Sequence, residues 1–141
     1  MSIDLQLQNL QKAYESLTPD NVNELLSFYA EDASFKDPFQ EVLGRDEIKQ
    51  IFLKMFDQLN NPRFKVKELH NQQNQVSLLW EFHFEFKRWN HAPQMILGVS
   101  WLKLNDDGLI KRHHDFWDPA EGIYEKLPII GSLMRFLKKY A

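Results

Sequence analysis

From Gln75 to Arg88 the chain alternates apolar and polar side chains, with Leu79 and Arg88 the exceptions. Val76, Leu78, Trp80, Phe82, Phe84 and Phe86 share one parity; Ser77, Leu79, Glu81, His83, Glu85 and Lys87 share the other. A period of two over such a length is a β-strand with one face in a core. Rings this large need a covering layer, so the strand belongs to a sheet covered on at least one side. The chain before residue 60 supplies candidates for the cover, because its apolar period is 3.6 rather than 2.

Ile3, Leu7, Leu10, Tyr14 and Leu17 are spaced four, three, four and three, which is one face of a helix. Thr18-Pro19-Asp20 breaks it, and Asp20 suits the N-cap of a second helix carrying Val22, Leu25, Leu26 and Tyr29. A short strand then ends at Asp37, before Pro38. Residues 38–45 read as a loop closed by Gly44. A third helix follows, with Arg45 or Asp46 near its start and Ile48, Ile51, Phe52, Met55, Phe56 and Leu59 on its apolar face; Asn60-Asn61-Pro62 stops it. Phe64, Val66 and Glu68 alternate with Lys65, Lys67 and Leu69, and Asn71-Gln72-Gln73-Asn74 is a turn into the long strand.

After a loop over residues 88–93, residues 94–104 are apolar on both parities, which predicts a strand buried on both faces. Asn105-Asp106-Asp107-Gly108 is a hairpin turn, and residues 109–117 are the partner strand. The tail 120–141 is helical in pattern, with Ile129, Ile130, Leu133, Met134, Phe136 and Leu137 apolar and Arg135, Lys138 and Lys139 basic. A short basic amphipathic tail of this kind either touches a membrane or, more often, covers a core or packs on a partner subunit. The order predicts an α+β fold: N-terminal helices on the concave face of a curved antiparallel sheet, closing with a C-terminal helix, in a single domain over residues 1–141.

Composition narrows the chemistry. There is no cysteine, hence no disulfide, thiol nucleophile or thiolate metal site. The net charge of −3 argues against a general nucleic-acid surface. Met1-Ser2-Ile3-Asp4 lacks the basic and apolar regions of a signal peptide, and no apolar run approaches membrane-spanning length, so a cytoplasmic protein without a membrane partner is expected. No Gly-rich phosphate loop, GxSxG elbow or HExxH motif is present.

Two places can carry chemistry. Asp37 closes a strand among aromatic neighbours, and a carboxylate in apolar surroundings is raw material for proton transfer; the alternative is that it only caps the turn before Pro38. On strand 109–117 alternation puts His113, Asp115 and Trp117 on one face, either lining a cavity or as a surface ion pair, with His114 and Phe116 on the other. Two ligands are too few for a metal, and His70, His83 and His91 are scattered.

The run Phe28 to Pro38, FYAEDASFKDP, resembles the YA-x-D-A-x-x-x-DP segment of the ketosteroid isomerase branch of the NTF2-like superfamily. The run GLIKRHHDFWD (residues 108–118) resembles the matching strand of SnoaL-like polyketide cyclases. The resemblance implies a cone-shaped fold, a homodimer paired through its sheet, and neither metal nor organic cofactor. Asp37 falls on the isomerase's general base and Tyr14 on its oxyanion-donating tyrosine. The second oxyanion donor, a neutral carboxylic acid in the isomerase, falls on Ser100. Asp115 falls on the strand that carries the cyclase's acid/base aspartate, with His113 placed to tune it. Trp80, Phe82, Trp101 and Trp117 are candidate ring walls of a pocket for a small apolar carbonyl compound, with isomerisation or cyclisation through an enolate as the implied reaction. The fold also serves non-catalytic binding modules; a cavity plugged by aromatic side chains, or an Asp37 tied up by backbone donors, would favour that alternative. An epoxide-opening hydrolase would need an inward arginine beside Asp37 and Asp115, and Arg112 has the wrong parity.

Overall fold

Leu7, Leu10, Tyr14 and Leu17 are buried together, so the first helical stripe faces the core as its spacing requires. A computed structural model describes residues 3–87 and 91–122. Its elements are α1 (Ile3–Glu15), α2 (Val22–Leu26), β1 (Tyr29–Lys36), β2 (Glu41–Leu43), α3 (Arg45–Gln58), β3 (Leu59–Gln72), β4 (Gln75–Phe86), β5 (Gln94–Leu104), β6 (Ile110–Phe116) and α4 (Pro119–Gly122). One curved six-stranded sheet runs in the order β2-β1-β6-β5-β4-β3, with α1 against β3 and α3 against β1 and β3. The result is α+β, as the order of patterns predicts. The tail expected to be helical lies outside the described residues from 123 onward, as does part of the 88–93 loop.

The long alternation behaves as its parity demands: Val76, Leu78, Trp80, Phe82, Phe84 and Phe86 are all buried. The hairpin at residues 105–108 forms around Asn105, whose side-chain oxygen accepts the Asp107 and Leu109 amides at 2.9 and 3.0 Å. Gly108 there takes φ +80, which a side chain would resist. Gln6 on α1 donates to the Gly108 carbonyl at 2.5 Å and ties the first helix to this hairpin.

Several local expectations give way to long-range pairing. Tyr29 is not the last residue of a helix; it opens β1, which pairs in parallel with β6, Phe35 opposite His113. Asp20 is not an N-cap: Asn21 precedes α2 and makes no side-chain capping bond. The loop after Asp37 contains β2, a short partner for β1. Asn60-Asn61-Pro62 does not separate helix from strand, since β3 begins at Leu59 and absorbs Asn61 (φ 50) at a register shift before Arg63. A second shift between Val66 and Glu68 reverses parity, so Leu69 rather than Glu68 turns inward.

Strand β5 is not buried on both faces. Ile96, Ser100, Leu102 and Leu104 are buried, whereas Met95 and Leu97 are 46% and 57% exposed on the outer face, beside Phe116 at 52%. The cause is the cover: among the described residues the helices lie on one side of the sheet. Trp101 belongs to this outer parity, opposite His114 and Ser77, and so does not form a wall of the cavity.

Candidate functional site

Sheet register brings the site together from β1, β4, β5 and β6, and two helices, α1 and α3, close it. Leu78, Ser100 and Asp115 are direct neighbours across β4, β5 and β6, and Leu102, His113 and Phe35 across β5, β6 and β1. These rows face the helices, where Tyr14 and Phe52 close the layer. An outer chamber of about 370 Å³ is walled by Phe35, Ile51, Phe52, Phe64, Phe82 and Trp117, among others. A second, inner space of about 20 Å³, room for one water-sized group, lies between Tyr14, Trp80, Ser100, His113 and Asp115. Phe52, Phe64, Trp80 and Asp115 border both, so Asp115 stands where they meet.

A continuous hydrogen-bond chain forms the floor. His113, 2% exposed, places Nε2 2.6 Å from Asp115 Oδ1. Its Nδ1 lies 2.7 Å from the Tyr29 hydroxyl and 3.4 Å from that of Tyr14, and the two hydroxyls are 2.5 Å apart. From the other side Trp80 Nε1 donates to Ser100 Oγ at 2.8 Å, and Ser100 donates to the same Asp115 oxygen. Oδ1 of Asp115 thus collects two donors, while Oδ2 makes no hydrogen bond among the described residues. Burial pushes both tyrosine hydroxyls far above the usual range. Both are neutral donors at any ordinary pH.

Trp80 reaches Ser100 because of what lies beneath it. Gly98 is opposite Trp80 in register, and a Cβ built on Gly98 would come within 2.7 Å of three carbons of the indole ring. The ring therefore rests on bare backbone.

Asp37 is placed differently. Its Oδ1 accepts the Phe39 and Gln40 amides at 2.8 and 3.0 Å, its Oδ2 accepts the Gln40 side-chain amide at 3.1 Å, and its own N–H donates to the Gln40 carbonyl at 3.0 Å. This is an Asx-type turn from β1 into β2. Asp37 borders the outer chamber but lies outside the cluster around Asp115. The structure thus brings together Tyr14, His113, Asp115, Ser100 and Trp80, puts Phe82, Trp117 and Asp37 on the outer chamber, and turns Trp101 away.

Two contributors had no clear signal in the sequence. Tyr29 reads there as part of a helical face. Arg45, at the start of α3, reaches back so that Nε donates to the Tyr29 carbonyl at 2.8 Å, with Nη2 donating to the same oxygen. Burying a tyrosine completely demands a partner for its hydroxyl, which is the one hint available. Among the described residues no arginine lines either chamber, and no group of three metal-ligating side chains occurs.

With this geometry in place, the SnoaL-like domain model matches residues 10–113, from α1 through His113. The chain belongs to the SnoaL-like domain family. A comparison with curated proteins finds no match. Among solved structures, this SnoaL-like chain is similar to an NTF2-like protein of unknown function from Burkholderia pseudomallei (15% identity, TM-score 0.73, covering 86% of this chain and 95% of that one). It is also similar to a Shewanella putrefaciens protein named for the SnoaL-like polyketide cyclases (21%, 0.68, 86% and 95%). A third is a protein of ketosteroid isomerase-like fold from Catenulispora acidiphila, solved with trimethylamine (14%, 0.71, 83% and 88%). At these identities the likeness establishes the fold. Among the described residues no helix is long and apolar enough to cross a membrane.

Proposed function

We propose that this SnoaL-like protein binds a small apolar carbonyl compound and moves a proton at carbon, with Asp115 as the base. The observation that carries the reading is the state of that carboxylate: Oδ1 is held by Ser100 and His113, Oδ2 accepts no hydrogen bond among the described residues, and Asp115 borders both chambers. Held on one oxygen, the group keeps a fixed aim and loses little freedom when it accepts a proton. The aromatic walls Phe64, Trp80 and Phe82 would hold the apolar body. Asp115 would take the proton from carbon beside the carbonyl and return it elsewhere in an isomerisation, or leave an enolate to close a ring. The likeness to a protein named for polyketide cyclases supports the second outcome. Asp37 is not the base in this reading, because both its oxygens are engaged in its own turn.

The test is deuterium incorporation from heavy water into a panel of cyclic ketones and enones, followed by NMR. Wild type and Asp37→Asn should exchange; Asp115→Asn should lose about 100-fold or more, the usual range for removing a general base. Exchange that survives in Asp115→Asn, or vanishes in Asp37→Asn, would overturn the assignment.

A second reading, a binding module without turnover, is favoured by one observation: Asp37, the residue matching the isomerase base, is tied up by backbone donors. Against it, the aromatic side chains leave the outer chamber open. Absence of exchange across the whole panel, with both variants folded and matching wild type, would select it. An epoxide hydrolase gains no support among the described residues, where Arg112 is exposed on the outer parity and Arg45 is spent on the Tyr29 carbonyl.

A further inference from the structure

The hydrogen bonds around Asp115 can be given a direction, starting from groups that have only one choice. An indole N–H only donates, so Ser100 Oγ accepts from Trp80 and has its hydrogen free for Asp115. A carboxylate only accepts, so the hydrogen between it and the imidazole sits on His113 Nε2. A neutral imidazole has a single N–H, and that one is now used. Nδ1 is then an acceptor in need of a donor, and the Tyr29 hydroxyl at 2.7 Å is far better placed than Tyr14 at 3.4 Å. With its hydrogen given to Nδ1, Tyr29 accepts from Tyr14 at 2.5 Å. Every donor then has an acceptor, which is what a buried cluster requires.

We infer that Tyr29 is a positioning residue: its hydroxyl caps His113 Nδ1 and fixes the tautomer and orientation of the imidazole, with its one N–H committed to Asp115. The groups facing His113 are Tyr14 from α1, Tyr29 and Phe35 from β1 and Asp115 from β6, with Phe52 of α3 and Ser100 of β5 sharing the same space. Asp115 carries the one acidic side chain among them. Two consequences follow for the cavity. The group it meets as a base is Asp115 Oδ2, because both nitrogens of the imidazole are occupied. Tyr14, which the resemblance marks as an oxyanion donor, has its hydrogen directed inward to Tyr29 and meets a ligand only as an acceptor. Arg45 fixes the tyrosine's backbone carbonyl and so sets the reach of the hydroxyl.

The experiment is long-range proton–nitrogen NMR of the imidazole nitrogens in uniformly labelled protein at neutral pH. Wild type should show His113 with a protonated Nε2 and a bare, hydrogen-bonded Nδ1. Tyr29→Phe removes the cap, and the Nδ1 resonance should shift to that of a bare imidazole nitrogen without a hydrogen bond, while Nε2 keeps its proton. Tyr14→Phe leaves Tyr29's hydrogen on Nδ1 and should keep the wild-type pattern. A protonated Nδ1 in wild type at neutral pH, no shift in Tyr29→Phe, or an equal shift in Tyr14→Phe would each overturn the assignment. If Tyr29→Phe does not fold, the wild-type and Tyr14→Phe spectra carry the test alone. None of these spectra depends on turnover, so a failure of the exchange assay and a failure of this inference are separable.

Discussion

Replacing Gly98 by alanine tests the packing on which the site depends. The added methyl would stand 2.6 and 2.7 Å from two carbons of the Trp80 ring and closer still to a third, so the indole must withdraw by about 1 Å to regain ordinary contact at 3.5–4.0 Å. Overpacking of this kind costs about 1–3 kcal/mol. A retreat of that size also strains the 2.8 Å bond from Trp80 to Ser100, adding about 1 kcal/mol. Losing a glycine from a strand returns less than about 1 kcal/mol through the unfolded chain. The net expectation is about 2–3 kcal/mol, read by urea denaturation with far-UV circular dichroism. Leu97→Ala, one residue away on the exposed face, should cost under about 1 kcal/mol. Repeating Gly98→Ala in a Trp80→Leu background should bring its cost close to zero, since the ring it would strike is gone. A Gly98→Ala cost below about 0.5 kcal/mol, or the same cost in both backgrounds, would refute the reasoning.

Two further expectations rest on the same cluster. Burial raises Tyr14 and Tyr29 above their unfolded value of 10.0, so their stabilising contribution is whole below pH 10 and drains away as pH climbs from there toward the folded-state values. An alkaline titration followed by tyrosinate absorbance should show these two ionising only as circular dichroism reports unfolding; their ionisation near pH 10 with the fold intact would contradict the burial. Arg45→Met keeps the aliphatic stem and deletes the donors to the Tyr29 carbonyl, which should cost about 1–2 kcal/mol in urea; a loss under about 0.5 kcal/mol would mean the clamp is dispensable.

What the sequence disclosed is what local periodicity can encode. The faces of α1 and α3, the inward set on β4 and the shared parity of His113, Asp115 and Trp117 each follow from spacing within one element. What it concealed depends on pairing between distant segments. Tyr29 sits three residues after Leu26 and reads as helical, and only its parallel pairing with Ile110 makes it a strand residue. Gly98 looks like an ordinary interruption of β5 until register sets it beneath Trp80. Trp101 is a candidate cavity wall by residue type, and on a strand apolar on both parities no local pattern says which face the helices cover. The resemblance led to Asp37 by motif; the turn that engages both its oxygens involves Phe39 and Gln40, whose amides no spacing rule would have pointed at it.

The parallel seam between β1 and β6 also bears on when the site can exist. Tyr29 and His113 are 84 residues apart in the chain, and Tyr14 and His113 are 99 apart. Closing loops of that length forfeits chain entropy before any contact rewards it, which places this seam late in folding and makes the whole process slow for a chain of this size. The meander β3–β4–β5–β6 can zip locally through its hairpins, yet it holds only the Trp80, Ser100, His113 and Asp115 side of the cluster. The tyrosines arrive with the last, longest-range closure. The amides of β1 should therefore exchange with solvent hydrogen through an opening that leaves the β3–β6 meander standing, at a lower free energy than unfolding of the whole domain.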